Sequence, residues 1–293
     1  RSIIKKGVSL LEIAEKIEAK ILELGKEVGA KPAFPVNLSI NNIAAHFTPS
    51  HDDNSTANGL LKVDIGVHID GWAADTAFSI DLENSDLNKT LISSGEEALN
   101  NAIELIKSRI EDNKKNEVND DKVDSSIKNN FSGQASRNES VSLEEIGKTI
   151  QERIESYGFT PVANLSGHSI AHYDLHSGLN IPNIPVKGKV FLEGGLYAIE
   201  PFATNGNGKV HDGKPSGIYY LSNEKTPRNQ IAREVLTFIA KEYQTLPFCS
   251  RWIVKKLGSR ALFGLRELEA NGNLHHFAQL VESQNSIVSQ AEH

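Results

Sequence analysis

Lys62-Val-Asp-Ile-Gly-Val-His-Ile-Asp-Gly-Trp-Ala-Ala-Asp-Thr-Ala-Phe78 reads as two arms around a single turn dipeptide, Asp70-Gly71. Asp-Gly between alternating arms favours a two-residue type I′ connection, which needs positive φ at both central residues. The arms are therefore expected to form a β-hairpin in which Ile69 pairs with Trp72, Asp64 with Ala77 and Gly66 with Asp75. Side chains alternate between the faces of a strand, so Asp64 and Asp75 share a face as diagonal neighbours, with backbones about 7–8 Å apart. The opposite face carries Val63, Ile65, Val67, Ile69, Trp72, Phe78 and Ile80 and is expected to be buried. Like charges at that spacing repel, and Gly66, Ala73 and Ala77 around them bring no cation. Two metal ions about 3.5–4 Å apart would fit the gap; a polar face that is simply wet is the competing explanation.

Around the hairpin, 293 residues with 39% hydrophobic and 24% charged content describe a soluble globular chain of one large or two ordinary domains. A formal net charge of −7 and the lack of a Lys/Arg cluster argue against a nucleic-acid partner. No apolar run reaches membrane-spanning length, and the first residues lack the layout of a secretory signal. Cys249 is the single cysteine, so no internal disulfide forms and a reducing cytosol is the expected home. With no Met in the chain, either Arg1 is not its natural start or methionine has been lost or engineered out.

Ser9-Leu-Leu-Glu12 is a capping box, followed by Ile13, Ile17, Ile21 and Leu24 at helical spacing up to Gly29. The same phrase returns at Val141-Ser-Leu-Glu-Glu-Ile146, with Ile150 and Ile154, and stops near Gly158. Phe34-Pro-Val-Asn-Leu-Ser39 is likewise echoed by Phe159-Thr-Pro-Val-Ala-Asn-Leu-Ser166. Helix then strand thus occurs twice, which suggests two similar halves about a pseudo-twofold axis with a site at the join. A helix is expected over Leu87–Lys107. Residues 108–140, rich in Asn, Asp, Lys and Ser, read as a disordered insertion without catalytic parts. Helical spacing resumes from Thr226 to Gly272, so residues 222–275 are expected to form a helical subdomain interrupting a mixed sheet within one catalytic domain.

Gly167-His168-Ser-Ile-Ala-His-Tyr-Asp-Leu-His176-Ser-Gly178 offers three histidines in one polar segment, neutral imidazoles that could join an aspartate pair around a metal. Glu200 closes an apolar run before Pro201, and Glu292 ends another short strand-like stretch. A salt bridge to a lysine is the ordinary alternative for Glu200.

In chain order, Asp64, Asp75, His168, Glu200 and Glu292 resemble the five ligands of the methionine aminopeptidases. The resemblance is carried by Lys-Val-Asp-Ile-Gly-Val-His-Ile-Asp-Gly, Asn-Leu-Ser-Gly-His-Ser-Ile, Ala-Ile-Glu-Pro-Phe and Ser-Gln-Ala-Glu-His. The helical interruption before the last acid resembles the insert of type 2 enzymes, and the short N-terminal region is more similar to the archaeal than to the eukaryotic form. The resemblance implies an α/β pita-bread fold and two divalent metals. Asp75 and Glu292 would bridge them, Asp64 would chelate one, and His168 and Glu200 would complete the other. Mn, Fe, Co and Zn all suit such a donor set. The activity implied is removal of the initiator methionine from nascent chains whose second residue is small, with Glu200 as proton acceptor. His176 matches the family histidine that stabilises the tetrahedral intermediate, and His46 the one near the scissile amide. Phe34, Phe202 and Phe277 match positions lining the slot for the first side chain. The implied partner is the N-terminal peptide of a nascent polypeptide, handled by a cytoplasmic monomer with possible ribosome proximity. The alternatives are an Xaa-Pro peptidase of the same fold and a non-catalytic, ribosome-associated factor. Several apolar residues follow the last ligand in that family and only His293 follows it here; if the natural polypeptide ends there, Glu292 is expected on a fraying end.

Overall fold

A helix followed by short strands occurs twice in the computed structural model, which describes residues 2–120, 140–187, 190–192, 194–283 and 285–293. The first half runs α1 (Leu10–Leu24), β1 (Lys31–Pro32), β2 (Asn37–Ile40), β3 (Ile43–Ala45), β4 (Leu60–Ile69), β5 (Trp72–Asp81) and α2 (Asp86–Asp120). The second opens with β6 (Ser140–Ser142), α3 (Leu143–Ser156), β7 (Thr160–Pro161), β8 (Ser166–Ile170) and β9 (Asn180–Pro182). It continues through β10 (Val190–Leu192), β11 (Leu196–Ala198), β12 (Phe202–Thr204) and β13 (His211–Leu221). The helical interruption follows as α4 (Gln230–Glu242), β14 (Phe248–Cys249), α5 (Ser250–Leu257) and α6 (Ala261–Ala270), and β15 (Leu274–Val281) and β16 (Val288–Gln290) return to the sheets.

Both repeated helices begin where their capping boxes place them. Ser9 accepts from the Glu12 amide and Ser142 from the Glu145 amide, each at 3.4 Å. α1 stops at Leu24, short of Gly29, and α2 runs thirteen residues beyond Lys107. The remainder of the expected insertion, residues 121–139, lies outside the described residues.

Asp70 and Gly71 take φ of 47° and 81°, the positive pair that a type I′ turn needs. β4 and β5 then pair in the expected register, Asp64 with Ala77 and Gly66 with Asp75. Burial of the two faces departs from expectation. The apolar cluster under α1 reaches Val63, Ile65, Phe78 and Ile80 and stops there, leaving Ile69 and Trp72 about half exposed at 48% and 54%. The acidic face is the better covered one, with Lys62, His68, Ala73, Ala77 and Ser79 all buried. The cover comes from the far end of the chain, because β16 lies against β5, with Ser79 Oγ donating to the Gln290 carbonyl at 2.8 Å. On its other side β16 pairs with β12, Phe202 opposite Gln290. β16 therefore joins the sheets of the two halves.

The helical interruption packs around Val235, Leu236, Ile239, Phe248, Ile253, Leu265 and Leu268, contiguous with Tyr219 and Leu221 of β13. It is fastened to α1 by a buried ion pair. Arg251 donates to both carboxylate oxygens of Glu18, at 2.7 and 2.8 Å, and through Nε to the Pro49 carbonyl at 3.1 Å. Arg251 thereby holds the loop that follows His46. Arg251→Ala strands a carboxylate in the interior and is expected to cost about 3–5 kcal/mol in denaturant unfolding, whereas Glu18→Leu with Arg251→Met restores most of that loss.

Candidate metal centre

Register alone lines up the acids. Asn37 pairs with Asp64, Asp64 with Ala77 and Ala77 with Glu292, giving one row across four chain segments. Directly paired residues share a face, so Asp64 and Glu292 flank the small side chain of Ala77, with Asp75 two residues along on the same face. Glu292 is fixed rather than fraying. Its amide donates to the Ala77 carbonyl at 3.0 Å, its carbonyl accepts from Thr76 Oγ1 at 3.0 Å, and His293 and Ile199 exchange both backbone bonds. Those bonds bring Glu292 beside β11, where Ala198 pairs with His168 and from which Glu200 follows two residues later.

Ligand atoms of Asp75, His168 and Glu292 lie within 4.8 Å of one another, and so do those of Asp64, Glu200 and Glu292. Glu292 is common to both groups. Glu200 lies with Asp64 in this arrangement, whereas the family resemblance groups it with His168. Gln290, two residues before Glu292 on the same strand face, donates from Nε2 to Glu200 Oε1 at 2.8 Å and to Glu292 Oε2 at 3.4 Å.

Burial and mutual repulsion push these acids upward. Burial raises Asp64 to about 7 against the Gln290 bond, and burial followed by the charge of Asp64 holds Asp75 well above the carboxylate range. Glu200 and Glu292 are raised well above theirs by burial and by the neighbouring acids. His168, with Nε2 3.7 Å from Asp75 Oδ2, is lowered by burial to about 4 and is a neutral donor. Asp64 Oδ1, Asp75 Oδ1 and Glu292 Oε1 are buried without a hydrogen-bond partner. Orphaned carboxylate oxygens facing one another beside a neutral imidazole are what divalent cations satisfy, so the donor set fits a metal centre.

A carboxylate whose pKa is raised on folding contributes stability below its unfolded value and loses it as pH rises through the folded value. For Asp64 that loss runs from the ordinary 3.8 to about 7, and the other three acids extend it upward. Cations reverse it by holding the acids ionised and displacing their protons. In chelator the melting temperature is therefore expected to fall between about pH 5.5 and pH 8, while the gain on adding Mn²⁺ grows over the same range. Thermal melts at each pH check this; a gain that does not change with pH contradicts it.

A pocket of about 210 Å³ opens from this centre, and all ten side chains matched to the family's ligands and substrate contacts border it. His46, at φ 61° after β3, donates from Nδ1 to the Ala278 carbonyl at 3.2 Å. Burial lowers it to about 4, so its Nε2 is a bare acceptor. His176 borders the pocket with its ring 4.5 Å from that of His168, and burial lowers its pKa as well. His172 does not join them; its Nε2 contacts the Asp70 carbonyl at 2.7 Å and its ring tilts over Trp72. Gln290 escaped the sequence reading although its spacing from Glu292 signals a shared face. Ile218 of β13 and Pro247, ahead of β14, also line the pocket and carry no local signal. Cys249 is fully buried, which raises its thiol to about 12 and leaves it inert.

Residues 1–131 match the model of metallopeptidase family M24. The methionine aminopeptidase of Pyrococcus abyssi is 41% identical over 99% of this chain and 87% of its own length. That of Methanocaldococcus jannaschii is 40% identical with the same shares. Among solved structures, a thermophilic Arx1 superposes with a TM-score of 0.72 over 98% of this chain and 80% of its own, at 14% identity, a likeness of fold alone. The methionine aminopeptidase of Thermotoga maritima gives 0.53 at 25% identity, over 72% of this chain and 75% of its own.

Proposed function

Because the chain belongs to the methionine aminopeptidases, type 2 in form and pita-bread in fold, we propose that Asp64, Asp75, His168, Glu200 and Glu292 hold its two divalent metals. The activity is hydrolytic removal of the initiator methionine from chains with a small second residue. One observation carries the assignment of residues: partnerless carboxylate oxygens of three of these acids converge beside His168 at the pocket bordered by Phe34, Phe202 and Phe277. When bound, the two ions acidify water into a nucleophile at neutral pH and polarise the scissile carbonyl.

The chain's own groups do the rest. Glu200, with Oε1 held by Gln290, takes up the proton released by the attacking water and passes it to the leaving amine. His46 receives a substrate N–H at its free Nε2, its other nitrogen being committed to Ala278. His176, neutral through burial, donates to the oxygen on which charge develops. Phe34, Phe202 and Phe277 form the apolar slot for the unbranched thioether side chain.

The enzyme acts on N-terminal peptides of nascent chains. We place it in the cytoplasm as a monomer working close to the ribosome, where such termini emerge. Among the described residues no helix is long and apolar enough to cross a membrane. An Xaa-Pro peptidase or a binding-only factor is not favoured, because relatives near 40% identity along the chain are methionine aminopeptidases and all five ligand types are present. Incubation of the chain, loaded in turn with Mn, Fe, Co and Zn, with Met-Ala-Ser, Leu-Ala-Ser and a Met-Pro control tests the reading. Free methionine from Met-Ala-Ser, without free leucine from Leu-Ala-Ser, is expected; no methionine with any of the metals overturns it.

A further inference from the structure

Gly66 stands opposite Asp75 in the β4–β5 ladder, on the face that carries the acids. Its φ is not positive, so conformational freedom does not explain a glycine there. Space does. A Cβ built on Gly66 would fall within 3.0 Å of three carbons of the Phe34 ring, and that ring borders the pocket. Phe34 has little room to retreat, since it is buried among Ala33, Ala73, Ile170, Leu175, Ala198 and Leu246. Its backbone is tethered too, the Ala33 amide donating to the Gly66 carbonyl at 2.9 Å. The open side of the ring is the pocket.

We infer that Gly66 is a specificity-determining position: by lacking a side chain it lets Phe34 lie against β4, which sets the depth of the slot for the first residue of the substrate. A side chain at this position drives the ring into the slot and excludes a long first side chain before a short one. The inference rests on the aminopeptidase reading, and its test keeps the two apart.

Gly66→Ala, Phe34→Leu and the double variant are compared with the parent on Met-Ala-Ser and Ala-Ala-Ser, with metal content and thermal unfolding measured for each. Gly66→Ala is expected to raise KM for Met-Ala-Ser about tenfold or more, the factor that overpacking by about 1.4 kcal/mol gives. Metal content stays at the parental value, kcat changes by less than about threefold, and the preference for Met over Ala narrows. Phe34→Leu removes the clash, so the double variant returns close to Phe34→Leu alone, a non-additive result. Should Gly66→Ala fold poorly, recovery of folding in the double variant supports the same clash. An unchanged KM, an equal effect of Gly66→Ala in both backgrounds, a loss confined to metal content and kcat, or a double variant that does not fold overturns the inference. Failure of the parent chain to release methionine overturns the functional reading instead.

Discussion

Asp75→Asn is expected to abolish methionine release while leaving the protein folded. Asp75 Oδ1 has no partner, and Oδ2 lies 3.7 Å from His168 Nε2, beyond hydrogen-bond reach, so the carboxylate makes no side-chain bond that the amide would break. The amide is nearly isosteric. It removes one anion from the acidic row and leaves a single neutral ligand oxygen where the carboxylate offered two charged ones, so the side chain can no longer serve two cations. Partners one layer removed from a metal cost roughly 10–100-fold in affinity or activity, and loss of a direct ligand should exceed that. The metal-free variant should be as stable as its parent or more so, because burial and Asp64 both disfavour the Asp75 anion. Metal analysis and single-turnover rates on the purified variant check this; activity within tenfold of the parent would mean that Asp75 is not a ligand.

His176→Ala is expected to lower kcat by roughly 10²–10³, the usual cost of losing a donor to a developing oxyanion. Metal content and KM for Met-Ala-Ser should barely move, since His176 belongs to neither group of converging ligand atoms. That division separates the two variants, one losing metal and the other keeping metal but losing rate. A His176→Ala chain that loses its metal would place the imidazole among the ligands and His168 outside them.

Local chemistry made the hairpin legible. Asp70-Gly71 admits one tight turn, and a period of two then fixes every pair from Asp64–Ala77 to Ile69–Trp72. The capping boxes at Ser9 and Ser142 worked for the same reason, since each is a bond between residues three apart. Which face of the hairpin is covered was not legible, because the cover is β16, about 210 residues away in the chain. Glu292 looked loose for that reason, its fixing partners Ala77, Thr76 and Ile199 being distant in sequence.

The three histidines show where local reading stops. Ala171 and Asp174 form a bridge around Tyr173, at φ 56°, and the Ser177 amide returns to the Ser169 carbonyl at 2.9 Å. The chain therefore doubles back, bringing the His176 ring beside that of His168, the two planes tilted by 57°, and leaving His172 at the bend against the hairpin tip. Spacing showed three imidazoles; only the reversal tells which two face the acids. Pro247 and Ile218 reach the pocket through the helical interruption and its flanking strand, and nothing in their own neighbourhoods marks them.

Anomalous diffraction from crystals grown with Mn²⁺ tests most directly whether Asp64, Asp75, His168, Glu200 and Glu292 cage a pair of cations. Two peaks about 3.5–4 Å apart, both within bonding distance of Glu292, are expected. Peaks elsewhere, or none among these five side chains in a crystal soaked to saturation, would contradict it.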